Sequence, residues 1–145
     1  IDVDRFKRYN DRYGHQQGGL CLKQVATAMR NALPRHTDLL FRYGGEEFCA
    51  LLPEMRSATA VEVADKLRAS VQNLALPHAN APAGIVSVSI GVASHNQRSH
   101  TDYGQLIQAA DDALYEAKHA GRNIVRASVP AWPDSLSSLG VASQD

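Results

Sequence analysis

Three acidic residues stand where a folded chain could bring them together. Asp2 ends a short apolar segment that predicts a buried strand, and Glu46 and Glu47 follow the pair Gly44-Gly45 between two other apolar runs. A magnesium ion takes hard oxygen ligands, usually one or two carboxylates together with phosphate oxygens and water. Strand ends would fix the spacing of such ligands, so these residues indicate a metal site. A turn whose glutamates are merely solvated is equally consistent with the residues alone.

Basic residues could serve a phosphate ligand. Lys7 follows Asp2 by five positions, and Lys118 and Arg122 flank the end of the last predicted helix. Lysine attracts phosphate as a point charge, and arginine attracts it as a two-pronged donor. Cations near a helix C-terminus also interact favourably with the helix dipole and need no ligand. From the residues alone, this structural role is favoured.

A polar cluster of Asn10, Asp11, Gly14 and His15 lies between two predicted helices. Asparagine can present a donor and an acceptor to a base edge, but it is also a common capping and turn residue. Taken alone, the cluster favours the structural role. The other histidines have no metal-ligand spacing, and we expect them to be surface residues.

Apolar residues at helical spacing predict three amphipathic helices. Their apolar faces are Leu22, Val25, Met29 and Leu33 in the first, Ala64, Leu67, Val71 and Leu74 in the second, and Leu106, Ala110, Ala113 and Ala117 in the third. Ser57 is the expected N-cap of the second helix, and Gly121 is the expected left-handed cap of the third. A shorter charged segment, residues 5–13, precedes them and is interrupted at Gly14.

Strand patterns complete the fold prediction. Residues 39–41 and 48–52 predict a hairpin, because the glycine pair between them supplies the positive φ angles of a tight turn. Residues 85–92 alternate bulky and small side chains, and residues 123–127 predict a closing strand. The order is strand, two helices, hairpin, helix, strand, helix, strand. This order predicts an α/β (α+β) sandwich with a mixed or mainly antiparallel sheet, since a doubly wound sheet would not use a central hairpin.

Composition restricts the function classes. A length of 145 residues suits one hydrophobic core, and a formal net charge of zero gives no global attraction to nucleic acid. Cys21 and Cys49 lie in apolar stretches away from any Cys-x-x-Cys spacing, so buried, reduced thiols are expected. No apolar run approaches the roughly 18 residues of a membrane span. Residues 129–145 lack Lys and Arg and predict a flexible C-terminal tail.

Five segments in order resemble the GGDEF family of diguanylate cyclases. The signature is residues 44–48, GGEEF, a common form of the family motif. The other four are residues 2–7 (DVDRFK), 10–15 (NDRYGH), 110–118 (ADDALYEAK) and 121–123 (GRN). The similarity covers roughly residues 1–126. It implies a nucleotidyl-cyclase palm, a central five-stranded, mainly antiparallel sheet flanked by helices. It also implies a domain over residues 1–128 that lacks the helix and strand segment that normally precede the Asp2 motif.

The resemblance implies a reaction between two domains that meet face to face, each holding one GTP. The 3′-hydroxyl of each GTP attacks the α-phosphate of the other, pyrophosphate leaves, and cyclic di-GMP forms. Carried over position by position, a Mg²⁺ (or Mn²⁺) ion would be held by Asp2, the Val3 carbonyl, Glu46 and Glu47. Glu46 is also the candidate general base, with Glu47 and Lys7 assisting catalysis. The implied substrate-binding residues are Phe6, Asn10, His15, Lys118 and Arg122.

One position departs from the family pattern. The pattern has an aspartate where this chain has Gly19, after Gln16-Gln17-Gly18. A carboxylate there would accept hydrogen bonds from the N1 and N2 groups of guanine. Its loss costs about 1–3 kcal/mol and weakens discrimination against adenine. Either activity is impaired, or the base is held by Asn10 with water.

A second family feature is present. Arg35 and Asp38 match the Arg-x-x-Asp inhibitory motif at its usual distance before the signature. In the family, cyclic di-GMP binds there and restrains the enzyme, so product inhibition is implied. The alternative is a helix-to-strand loop that carries an ordinary ion pair.

Two functions are consistent with these residues. The first is an active cyclase that works as a homodimer and is driven by an upstream sensory or receiver domain. The second is a degenerate domain that binds GTP or cyclic di-GMP without turnover. The intact acidic signature favours the first, whereas Gly19 and the short start stand against it. A cyclase acting on a single nucleotide is disfavoured, because its motifs are not visible. The resemblance implies a bacterial cytoplasmic domain, in a full-length protein that other segments could anchor to a membrane.

Overall fold

The elements follow the predicted order. The computed structural model describes residues 1–95 and 102–128, so the predicted tail, residues 129–145, lies outside the described residues. The strands and helices are β1 (Asp2–Val3), α1 (Phe6–Tyr13), α2 (His15–Ala32), β2 (Leu39–Gly44), β3 (Glu47–Leu51), α3 (Ser57–Gln72), β4 (Val88–Val92), α4 (Tyr103–His119) and β5 (Val125–Ala127).

The strands form a five-stranded sheet in the order β2-β3-β1-β4-β5. Pairing is antiparallel between β2 and β3, between β3 and β1, and between β1 and β4, whereas β4 and β5 are parallel. The mainly antiparallel sheet predicted from the hairpin is confirmed. The two-residue strand β1 lies at the centre, with a partner on each side.

The two faces of the sheet are covered differently. One face meets α1, α2 and α3 in a continuous apolar core that includes Val3, Val25, Met29, Leu67 and Val88. The other face meets α4, and contact there is close enough that Gly91 of β4 lies against the α4 backbone. Burial of each large apolar side chain contributes about 1.5–3 kcal/mol, so the three-helix face supplies most of the stability.

Three local predictions need correction. Of the polar cluster predicted between two helices, Asn10 and Asp11 lie within α1 and His15 is the first residue of α2, so only Gly14, with φ 85°, lies between the helices. Helix α2 also includes Gly18 and Gly19, which lower helix propensity. Ser57 is the first helical residue of α3 and not its cap; Arg56 holds that position without a side-chain capping bond. Strand β4 begins at Val88, because Ile85 pairs instead with Pro77 in an isolated bridge.

The predicted surface position of the histidines is wrong for His78, whereas the cysteines are free thiols as predicted. His78 was expected at the surface but is 1% exposed; its ring lies edge-on to Tyr9, and its Nε2 lies 3.3 Å from the Arg5 carbonyl oxygen. That expectation was wrong because the loop before β4 folds under α1. Both cysteines are free, with Cys21 buried and Cys49 half-buried.

No helix within the described part of the chain is both long enough and apolar enough to cross a bilayer.

Candidate active site at the β1 end and the β2–β3 turn

The central strand brings the acidic residues together. Asp2 is the cross-strand partner of Glu47 on one side and of Ser89 on the other. The Val3 amide donates to the Glu46 carbonyl oxygen at 3.2 Å, which fixes the hairpin turn against β1. Glu47, and not Glu46, therefore lies directly across from Asp2. Glu46 occupies the turn itself, next to Gly45, whose φ of 47° lets the chain reverse.

Asp2 is a buried carboxylate with charges of both signs beside it. It is 7% exposed, and its Oδ2 lies 2.9 Å from the Lys118 ammonium of α4. Burial raises the pKa of Asp2, the bond and charge of Lys118 lower it, and the nearby charges of Glu46 and Glu47 raise it again. The charges of Glu46 and Glu47 thus act unfavourably on the Asp2 carboxylate, and a bound cation would offset this repulsion.

The donor set fits a magnesium ion that shares its coordination with a nucleotide. Among residues 1–95 and 102–128, no group of three or more His, Cys, Asp or Glu side chains is arranged to hold a metal alone. Magnesium seldom needs such a group, because it usually takes one or two carboxylates and completes its shell with phosphate oxygens and water. Asp2 with the glutamates of the turn meets that requirement.

Of the three predicted phosphate-binding cations, only Lys118 contacts the acidic edge among the residues that the structure describes. Lys118 is engaged by Asp2, so binding a phosphate would require it to share or exchange its partner. Arg122 lies in the turn after α4 with φ 68°, and its guanidinium has no ion-pair partner among the residues the structure describes. Lys7 is an exposed residue of α1. The predicted phosphate contacts of these residues stay predictions.

The predicted base-binding residues gather where α1 meets α2. The Asn10 side-chain oxygen is buried and has no hydrogen-bond partner within the described residues. Gly18 of α2 faces it so closely that a Cβ there would collide with that oxygen and come within 3.2 Å of Phe6 Cζ. His15, the first residue of α2, is exposed. Gly19 borders open space, because a Cβ added there would meet no atom within 4 Å.

The two residues of the predicted inhibitory motif, Arg35 and Asp38, are hydrogen-bonded to each other in the loop between α2 and β2. Arg35 donates from Nη2 to Asp38 Oδ1 at 2.6 Å and to the Pro53 carbonyl oxygen at 2.8 Å. The fully buried Asp38 carboxylate also accepts the Arg35 backbone amide at 3.1 Å. The pair therefore closes the α2–β2 loop, whatever else it binds.

One residue near the site was given no role by the sequence pattern. Asp4 is 4% exposed and accepts hydrogen bonds from the hydroxyls of Ser87 and Ser89 and from the backbone amide of Asn123. Its partners lie more than 80 positions away along the chain. In the sequence, a role for Asp4 is indicated by its position within residues 2–7 (DVDRFK), one of the segments that resemble the family.

Comparison with known families decides the classification. A family model described as diguanylate cyclase, GGDEF domain, matches residues 1–124. The chain belongs to the GGDEF family. This GGDEF domain is 42% identical over 136 residues to the diguanylate cyclase DosC of Escherichia coli K12 and 43% identical over 130 residues to DgcM of the same strain. These matches cover 94% and 88% of this chain but only 28% and 30% of the relatives, so the chain spans less than a third of their length.

Solved structures support the same fold. The GGDEF domain of DgcB from Caulobacter crescentus, in complex with c-di-GMP, has a TM-score of 0.77 at 31% identity, over 88% of this chain and 74% of that one. The diguanylate cyclase SiaD of Pseudomonas aeruginosa, in complex with its activator SiaC, has a TM-score of 0.77 at 40% identity, over 87% of this chain and 47% of that one. The predicted five-stranded palm is confirmed.

Proposed function

We propose that this GGDEF domain condenses two GTP molecules into cyclic di-GMP, with release of two pyrophosphates, as a pair of domains that each hold one nucleotide. The observation that carries the proposal is the acidic edge formed by Asp2 of β1 beside Glu46 and Glu47 of the hairpin. The names of the relatives, diguanylate cyclases, support the same reaction class.

Asp2, the Val3 carbonyl and the glutamates of the turn are the residues that would hold a divalent cation. When bound, such an ion neutralises charge on phosphate oxygens and orients the attacking and leaving oxygens. The Asp2 carboxylate is partly desolvated and near the like charges of Glu46 and Glu47, so a bound cation would stabilise its charged form.

The other residues have positioning and proton-transfer roles. Glu46, in the turn, accepts the proton of the 3′-hydroxyl as that oxygen bonds to the α-phosphorus of the opposing GTP. Lys118 orients Asp2 and, with Arg122 and Lys7, balances the negative charge of the phosphates. Phosphoryl transfer depends chiefly on such positioning and charge neutralisation.

Asn10 is proposed to read the base. A buried amide oxygen without a partner is destabilising by about 1–3 kcal/mol, and a guanine N–H group would satisfy it once a rotation of the Asn10 side chain exposes the oxygen to the nucleotide. Gly18 permits this arrangement, because any side chain there would displace the Asn10 oxygen. Phe6, whose Cζ lies beside Gly18, would be the apolar neighbour of the base.

The alternative is a domain that binds GTP or cyclic di-GMP without turnover, and Gly19 is the observation that favours it. Purified protein incubated with GTP and magnesium distinguishes the two functions through cyclic di-GMP and pyrophosphate release. We expect turnover that Glu46→Gln abolishes and that Glu62→Gln, a matched change on the exposed side of α3, leaves intact. Nucleotide binding without product would instead support the non-catalytic domain.

Product inhibition at Arg35 and Asp38 is proposed as well. The Arg35 side chain is partly exposed, and its bonds to Asp38 and Pro53 use Nε and Nη2, so Nη1 remains a donor for a guanine or phosphate. In an active domain, Arg35→Ala should abolish inhibition by added cyclic di-GMP. Inhibition that persists unchanged in a folded Arg35→Ala protein would leave only the loop-closing role.

A further inference from the structure

Asp4 joins three parts of the domain at a single buried carboxylate. Oδ1 accepts the Ser89 hydroxyl at 2.6 Å, and Oδ2 accepts the Ser87 hydroxyl at 2.7 Å and the Asn123 amide at 3.0 Å. The serines belong to β4 and the segment before it, whereas Asn123 belongs to the turn between α4 and β5. A carboxylate that accepts three such bonds is a rigid anchor, because charge-assisted hydrogen bonds are about twice as strong as neutral ones.

The turn that Asp4 holds has an unusual backbone. Gly121 has φ 117°, and the next two residues, Arg122 and Asn123, have φ 68° and 49°. Each left-handed non-glycine residue is destabilising by roughly 1–2 kcal/mol, so two in succession persist only where surrounding contacts hold them. One contact is the Arg122 amide to the Ala117 carbonyl oxygen at 3.1 Å, and the next is the Asn123 amide to Asp4.

A second set of contacts holds the side chain of Asn123. Arg68 of α3 donates a hydrogen bond to Asn123 Oδ1 at 3.1 Å, and Asn123 Nδ2 donates one to Gln72 Oε1 at 3.2 Å. Asn123 is thus fixed through its backbone by the central sheet and through its side chain by α3. Arg122 is held on both sides, since its own amide is bonded and its C-terminal neighbour is fixed.

We propose that Asp4 is a positioning residue, which sets the direction of the Arg122 side chain by fixing the left-handed turn after α4. The inference rests on the proposed function in one respect, namely that Arg122 contacts the terminal phosphates of GTP. Asp4 itself touches no substrate in this arrangement. Its effect is on triphosphate affinity, and it reaches the nucleotide only through Asn123 and Arg122.

The first test measures the turn without any nucleotide. Amide hydrogen exchange of a peptide spanning residues 120–125 is compared among wild type, Asp4→Ala and Ser87→Ala. Ser87→Ala is the matched control, because it removes one bond to the same carboxylate oxygen but leaves the Asn123 bond. We expect at least about tenfold faster exchange in Asp4→Ala than in the control. Equal exchange in the two variants overturns the inference.

The second test measures the consequence for binding. Calorimetry in magnesium compares 3′-deoxyguanosine triphosphate, which cannot form the product bond, with guanosine monophosphate. Asp4→Ala should weaken the triphosphate about tenfold, the effect of losing one charge-assisted phosphate contact, and leave the monophosphate within about twofold. Asp4→Asn should restore most of the affinity, because its amide oxygen can accept the Asn123 amide and a serine hydroxyl can turn to accept its amide hydrogen.

A further pair of variants serves if Asp4→Ala does not fold. Arg68→Ala removes one of the two hydrogen bonds to the Asn123 side chain and leaves the one to Gln72, whereas Asp65→Ala removes the Arg68–Asp65 ion pair and no bond to Asn123. The first should reproduce the selective loss of triphosphate affinity in weaker form, and the second should not. Equal loss of both ligands, or no difference within the pair, overturns the inference. Asp4→Ala could speed exchange of the turn while the wild-type domain binds neither ligand. That result would reject the proposed function, and the anchoring of the turn by Asp4 would still stand.

Discussion

Gly91 allows α4 to lie directly on the sheet, and its replacement by alanine should be strongly destabilising. An added Cβ would lie 2.9 Å from Leu114 Cα and closer still to the Ala110 carbonyl oxygen and the Leu114 amide nitrogen, whereas ordinary contact begins at 3.4 Å. All three atoms belong to the helix backbone, so no side-chain rotation can make room. Helix α4 must move away from β4 by about 1 Å, which opens gaps around its buried alanines.

The magnitude follows from the kind of atom that is displaced. Overpacking a core usually reduces stability by about 1–3 kcal/mol, and collision with backbone puts Gly91→Ala at the upper end, about 3 kcal/mol. For a domain of this size each kilocalorie lowers the melting temperature by about 4 °C, so a fall of about 12 °C is expected. Urea unfolding followed by circular dichroism, together with a thermal scan, measures both quantities.

Gly19→Ala is the matched control. Gly19 lies within α2, a Cβ there meets nothing within 4 Å, and the change should stabilise by about 0.5–1 kcal/mol through helix propensity. Two glycine-to-alanine changes in one domain should therefore move stability in opposite directions. A loss below about 1 kcal/mol in Gly91→Ala would refute the close backbone contact between α4 and β4.

Three further outcomes are expected. Gly18→Ala should raise the KM for GTP about tenfold with little change in kcat, because the new Cβ displaces the Asn10 oxygen; an unchanged KM in steady-state kinetics would remove Asn10 from base binding. Gly19→Asp should lower that KM about tenfold by restoring an acceptor for guanine, and an equal or higher KM would contradict the interpretation of the pocket. Burial raises the pKa of Cys21 to about 11 from 9.0, so the folded state keeps the proton longer, and stability present below pH 9 should be lost between pH 9 and 11. That alkaline loss should be smaller in Cys21→Ala when urea unfolding is measured at about pH 8 and about pH 10.5, and identical losses would exclude the thiol as its source.

Element order and sheet type could be predicted from the sequence because hydrophobic periodicity reports them directly. The start of α2 could not, since Gly18 and Gly19 weaken helix propensity, and only the approach of Asn10 to the α2 backbone shows why glycine occupies position 18. The burial of His78 was missed for a related reason, because a loop histidine carries no periodic signal.

The acidic site was predictable only in outline. A strand end and a glycine turn were expected to bring Asp2 near the glutamates, and they do. Which glutamate faces Asp2 depends on strand register, and register places Glu47 opposite and Glu46 in the turn. The Lys118–Asp2 pair and the bonds of Asp4 join residues more than 80 positions apart, and no local pattern contains that information.

The central place of β1 has a consequence for how the domain folds. A strand of two residues has little stability of its own, and its neighbours in the sheet, β3 and β4, come from residues near 47 and 89. Closing such long loops is slow, because chain entropy is lost before any contact compensates for it. The acidic edge therefore forms only when the hairpin and β4 have both docked, so partly folded or nascent chains should lack the complete set of proposed cation ligands.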